Sequence, residues 1–149
     1  MDELDRTQVE RSCERLIMEY CRLVDFGEAA AVADLFTEDA QWRGTDLLLE
    51  GREEIRAWFV KREGIARRVS RHVFTNVMVD AVSPSEATSI SYMINFRHDR
   101  EEGDDSLPVV MEEPKWLGDV RDSFRLTEAG WRFSSRTVEA AFMRRRKQR

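Results

Sequence analysis

The sequence is short of the residues that build disulfide scaffolds and metal centres. Its 149 residues include two cysteines and two histidines. Cys13 and Cys21 stand eight apart on what reads as one helix. A rise of about 1.5 Å per residue separates their Cα atoms by about 12 Å, too far for a disulfide. Both are expected to be buried, inert thiols. No Cys/His cluster has ligand spacing, so no metal site is expected. Long apolar runs are also missing, and nothing approaches the roughly 20 residues that cross a bilayer. The opening stretch MDELDRTQVER is acidic and polar. It lacks the basic and then apolar segments of a secretory leader, so a cytoplasmic location with no membrane partner is expected. There is no Gly-rich nucleotide loop, and no cofactor is expected. Positive charge is in deficit, at a formal net charge of −5, which argues against nucleic acid as a partner. The exception is the basic tail at 143–149, MRRRKQR, which reads as a solvated end.

What is present suits one domain over 1–149 with its core at about 8–142. Thr7-x-x-Glu10 reads as a capping box. Val9, Cys13, Leu16, Ile17, Tyr20, Cys21 and Val24 then follow the i, i+3, i+4 rule of a helix that stops at Gly27. EAAAVADLF reads as a short second helix, and Ala40–Trp42 suits a short strand. GREEIRAWFVKRE reads as a third helix with Ile55, Trp58 and Phe59 on its apolar face. The period then changes to two. RHVFTNVMVDAV and EATSISYMINFRHD read as a hairpin around SPSE, and WLGDVRDSFRLT and WRFSSRTVEAAF as a second pair around EAG. Between the pairs lies an acidic stretch with two prolines, read as a long loop able to act as a lid. Three helices followed by strands joined mainly by hairpins means α+β, with a curved antiparallel sheet around a concave space.

Several polar residues fall at positions that face this space. Asp25 lies four residues after Cys21, at the edge of the apolar stripe. A carboxylate there needs a partner or a raised pKa, unless the helix end leaves it partly exposed. Strand alternation puts His72 on one face with Phe74, Asn76 and Met78. A lone strand histidine is more often structural, but one within reach of an aspartate gains a fixed tautomer and greater basicity. Tyr20 lies inside the stripe. It is either a core tyrosine or, with Asn95 or Asn76, a donor to a substrate carbonyl. Trp42, Trp58, Phe59, Met78, Tyr92, Phe96, Trp116, Phe124 and Phe142 are core candidates. Among them Trp42, Phe59, Met78 and Phe124 are candidates for lining an apolar pocket. The Arg and Glu runs read as solvated faces.

The segments YCRLVD (20–25), DLFTEDAQWRG, GREEIRAWF, RHVFTNV (71–77) and DSFRLTEAGWRFSSRTV, in this order, resemble the SnoaL-like group of the nuclear transport factor 2-like superfamily. That group includes polyketide cyclases, scytalone dehydratase and bile-acid dehydratases. The resemblance covers roughly residues 8–140. It implies a cone-shaped α+β barrel with three N-terminal helices packed on a curved antiparallel sheet. It also implies an acid–base dyad, because Asp25, Tyr20 and His72 match the dehydratase positions one by one. Where some dehydratases carry a further acid on the following strand, this chain has Asn95, and His98 does not align with the second histidine of scytalone dehydratase. The implied function is a cofactor-independent lyase or isomerase acting on a small, hydrophobic, cyclic hydroxy-ketone. The alternative is a non-catalytic ligand-binding or assembly module, like the β subunits of ring-hydroxylating dioxygenases. A homodimer or homotrimer is expected, since exposed sheet faces of such cones usually pair.

Overall fold

Helix α1 (Glu3–Asp25) starts earlier than the capping box suggests. Asp2 is its N-cap, accepting the Asp5 N–H at 2.8 Å, while Thr7 lies inside the helix and donates back to the Glu3 carbonyl at 2.9 Å. Of its predicted stripe Val9, Cys13, Ile17, Tyr20 and Val24 are buried, joined by Leu23, while Leu16 and Cys21, at the edge of the face, are half-buried, which corrects the expectation that Cys21 is buried. The helix ends where Gly27 takes φ +84° and the Glu28 N–H bonds the Leu23 carbonyl at 2.9 Å. This is a Schellman-type stop, which L side chains rarely permit. The stop sets Asp25 in the last turn. The computed structural model describes residues 1–145. The basic tail expected at 143–149 therefore lies largely outside the described residues.

The second helical segment is a 3-10 helix, Ala29–Leu35, followed by strand β1 (Phe36–Arg43). A short strand β2 (Leu48–Glu50), absent from the sequence reading, folds back on β1 and leads to helix α2 (Arg52–Glu63). Helix α2 buries Ile55 and Phe59, four apart, and leaves Trp58 on its exposed flank. Four long strands complete the chain: β3 (Arg68–Ser83), β4 (Glu86–Asp99), β5 (Trp116–Thr127) and β6 (Gly130–Met143).

The six strands form one sheet in the order β2-β1-β6-β5-β4-β3. All neighbours are antiparallel except β1 and β6, which run parallel. The helices cover one face, and the aliphatic and aromatic core lies between them and the sheet. The other face is bare. Tyr92, Met78, Val82 and Phe142 are exposed, as is Trp58 on its helix, which corrects the expectation that Trp58, Met78, Tyr92 and Phe142 are core residues. No described helix covers that face, so apolar strand residues of the outward parity stay in contact with solvent.

Strand β3 does not keep one parity. Its register with β4 shifts between Thr75 and Met78, and Asn76 sits in the bulge at φ +51°. A bulge inserts a residue and flips the alternation beyond it. His72 and Phe74 therefore face the helices, whereas Asn76 and Met78 are exposed. This corrects their placement as pocket residues on the His72 face.

Candidate active site

Asp25 is a carboxylate at the C-terminal end of a helix, where the backbone dipole disfavours negative charge. Three donors compensate. The His72 backbone N–H reaches Oδ2 at 2.8 Å, the Ser70 hydroxyl reaches Oδ1 at 2.8 Å, and His72 Nδ1 lies 2.6 Å from Oδ1. The Asp25 side chain is only 5% exposed and that of His72 15%. Burial pushes the Asp25 carboxyl up. The hydrogen bonds and charge of His72, together with Ser70, outweigh it and hold the carboxyl below its ordinary 3.8. Arg62, on α2, donates to the Ser70 hydroxyl at 2.9 Å and so steadies the group that steadies Asp25.

A carboxylate on Nδ1 leaves the ring proton there and frees the Nε2 lone pair. On β4, directly opposite His72 in the register, stands Asn95. Its side-chain Nδ2 lies 3.0 Å from His72 Nε2 and donates to it. The line Arg62–Ser70–Asp25–His72–Asn95 thus runs from helix α2 through α1 to the sheet. It presents the ring nitrogen Nε2 beside an amide donor. Ser70 and Arg62 were not singled out from the sequence. Strand parity could have found Ser70, two residues before His72 and on the same face. Arg62 carries no such mark in a run of charged helix residues.

Tyr20 belongs to a different cluster. Among the described residues it makes no hydrogen bond to Asp25, His72 or Asn95. Its hydroxyl accepts from Trp42 Nε1 at 3.2 Å, and its ring meets Phe59 edge-on at 5.8 Å. The Arg136 guanidinium lies 4.2 Å from the Tyr20 ring centre, 4.4 Å from Phe133 and 5.1 Å from Phe74. Arg136 and Asp122 form a bidentate pair at 2.7 and 2.8 Å, with side chains 1% and 0% exposed. Burial alone would lower the arginine's affinity for its proton, but Asp122 reverses this and raises it. Among the described residues Arg136 Nη1 has no hydrogen-bond partner and relies on the surrounding aromatic faces. Phe124, buried on β5, packs 5.0 Å from Phe133. Trp42 and Phe59 therefore pack on Tyr20, and Phe124 on Phe133, the rings that flank this interior ion pair. The sequence reading missed the pair, although Asp122 shares the inward parity of Val120 and Phe124.

Both thiols are held up to about 12, mainly by burial, and both cysteines are free. Among the described residues no group of three or more His, Cys, Asp or Glu is arranged to hold a metal ion. No described helix is long and apolar enough to cross a membrane.

A helix-backed curved sheet with a carboxylate–imidazole pair on its inner face defines a cone of the cystatin-like type. The chain belongs to the SnoaL-like domain family, whose model matches residues 5–137. No curated protein matches it by sequence. Among solved structures it resembles an NTF2-like protein with a cystatin-like fold from Novosphingobium aromaticivorans, at 24% identity and TM-score 0.72 over 88% of this chain and 80% of that one. A protein of the same organism, provisionally named a scytalone dehydratase, matches at 21% identity and TM-score 0.75, over 93% and 88% of the two chains. LinA matches at 17% identity and TM-score 0.76, over 95% and 92%. At these identities the likeness is one of fold.

Proposed function

We propose that this protein is a lyase or isomerase of the dehydratase type, working by proton transfer through the Asp25–His72 pair without a cofactor. The observation that carries this reading is the 2.6 Å contact between Asp25 and His72 Nδ1, with Nε2 left as an acceptor. The substrate is a small, hydrophobic, cyclic hydroxy-ketone. Nε2 takes the proton from the carbon next to the carbonyl, and the C–H electron pair moves into an enolate. Asp25 stabilises the imidazolium that forms. Binding of the substrate draws the Asn95 amide from Nε2 to the enolate oxygen, where its N–H groups oppose the developing charge. When the enolate collapses, a β-hydroxyl leaves with the proton from Nε2 as water, or another carbon takes that proton and the product is an isomer. An asparagine can donate but cannot carry a proton, so a single histidine serves as both base and acid.

A second reading rests on the same geometry. Every polar atom of the Asp25–His72 pair is satisfied within the fold, as a purely structural pair in a binding or assembly module would be. Variants separate the two. Against a panel of hydroxy-ketone steroids and terpenoids, His72→Ala and Asp25→Asn are each expected to lower turnover about 10²–10⁴-fold. Turnover unchanged in both would leave only the structural role.

A further inference from the structure

The protein carries net negative charge, yet the mouth beside the dyad is positive. A cavity of about 310 Å³ opens at Asp25, lined by Arg62, Arg68, Arg71 and Arg100. A second, of about 300 Å³, is lined by Arg97, Lys115 and Arg144. The boundary between them is the bridge in which Arg68 and Arg97 share one carboxylate, Asp99, at 2.7 and 2.8 Å. The carboxylates lining the two cavities are Asp25, Glu63, Asp99 and Glu112, so seven cations meet four anions.

Arg100 also lines a neighbouring cavity with Glu102, Asp104 and Asp105, but the cations on the side of the dyad are not paired off. Among the described residues no carboxylate forms an ion pair with Arg62, Arg71, Arg100 or Lys115. Arg71 lies over the Phe26 ring at 4.8 Å, and Arg100 donates to the carbonyls of Arg67, Ser106 and Ala66. Arg62 is spent on Ser70 and the Val24 carbonyl. Lys115 is half-buried, and its ammonium is disfavoured first by that burial and then by Arg97 and Arg68. Cations that crowd one another at a mouth, in a chain with acid to spare elsewhere, form a field that draws in an anion.

We propose that this rim grips an oxyanion, a carboxylate or a phosphate, borne by the substrate outside its reacting ring. The inference rests on the reading that the dyad serves a small molecule and adds the second half of that molecule. The ring enters toward His72, and the anion stays among Arg71, Arg100, Lys115 and the Arg68–Asp99–Arg97 bridge. Guanidinium forks match the geometry of both oxyanions.

The test uses three matched probes, 2-naphthoate, 2-naphthyl phosphate and neutral 2-naphthamide, titrated calorimetrically in dilute buffer. Both anions are expected to bind at least 10-fold more tightly than the amide. The tighter of the two names the oxyanion as carboxylate or phosphate. The preference should shrink at least 5-fold in the double variant Arg71→Gln/Lys115→Gln, and also in the wild type at 1 M salt, where the Debye length falls to about 3 Å. His72→Ala should retain it, so a failure of the dyad chemistry leaves this result untouched. Equal binding of amide and acids, no binding of either acid, or a preference indifferent to both salt and the double variant would overturn the proposal.

Discussion

Asp25 would be a poor residue for the end of a helix if it stood alone. Its value there comes from His72 and Ser70, and the cost of losing them is readable as pH dependence. Its folded pKa lies below the ordinary 3.8, so the folded state holds this carboxyl's proton more weakly than the unfolded chain does. The stabilisation is complete above the unfolded value, about 3.9, and is lost as pH falls through the folded one. Urea midpoints measured from pH 6 down to pH 2 should therefore decline below about pH 4. The decline should be shallower in Asp25→Asn, which has no proton to gain there. The Asp122–Arg136 pair poses the opposite problem, a charge with nowhere to go. Removing one member strands the other in the core, so Arg136→Met should cost about 3–5 kcal/mol. The double replacement Asp122→Leu/Arg136→Met should recover most of that loss, since both charges leave together. Urea unfolding of the three variants measures the difference.

At the scale of elements, patterns confined to one segment were legible and those set by neighbours were not. EATSISYMINFRHD and WLGDVRDSFRLT alternate cleanly and are strands β4 and β5 over those same residues. The α1 stripe was equally plain, because seven apolar positions agree on one face. Strand β2 escaped because Leu47, Leu48 and Leu49 run together without alternation, so their pairing with β1 is visible only in space. The parallel pairing of β1 with β6 joins residues nearly a hundred positions apart, which no local period records. Asp25 and His72 were legible as a pair only through the family resemblance, and Asn95 stands opposite His72 only because two irregularities shift the β3–β4 register, where counting from the turn would give Arg97. Asn76 and Met78 were misplaced because a bulge has no periodic signature, only an asparagine suited to positive φ. A second irregularity gives a direct test. The β5–β6 register shifts at Gly118, and a Cβ there would run into the Glu139 carbonyl oxygen and lie 2.9 Å from Ala140 Cα. Both are backbone atoms and cannot step aside. Gly118→Ala should cost about 1–3 kcal/mol, seen as a Tm lower by roughly 2–10 °C without loss of the Asp25–His72 contact.

For the molecule as a whole, the sheet supplies the frame and its two faces are unequal. The inner face meets the helices and holds a buried ion pair at its centre and the dyad toward its mouth. That division gives each polar group a separate task. Asp122–Arg136 sits among aromatic rings and fixes the interior. Asp25–His72–Asn95 sits where α1 stops at Gly27, and Asp25 lines the cavity that opens there. The proposed reaction depends on His72 Nε2 acting as a base. The most direct measurement is deuterium incorporation at the carbon beside the carbonyl of bound cyclic ketones in heavy water, followed by mass spectrometry. The wild type should exchange that position well above the buffer rate. His72→Ala should fall to the buffer rate, and Asp25→Asn about 10²–10⁴-fold below the wild type or to the buffer rate, whichever is reached first. Exchange that proceeds equally in all three proteins would contradict the account.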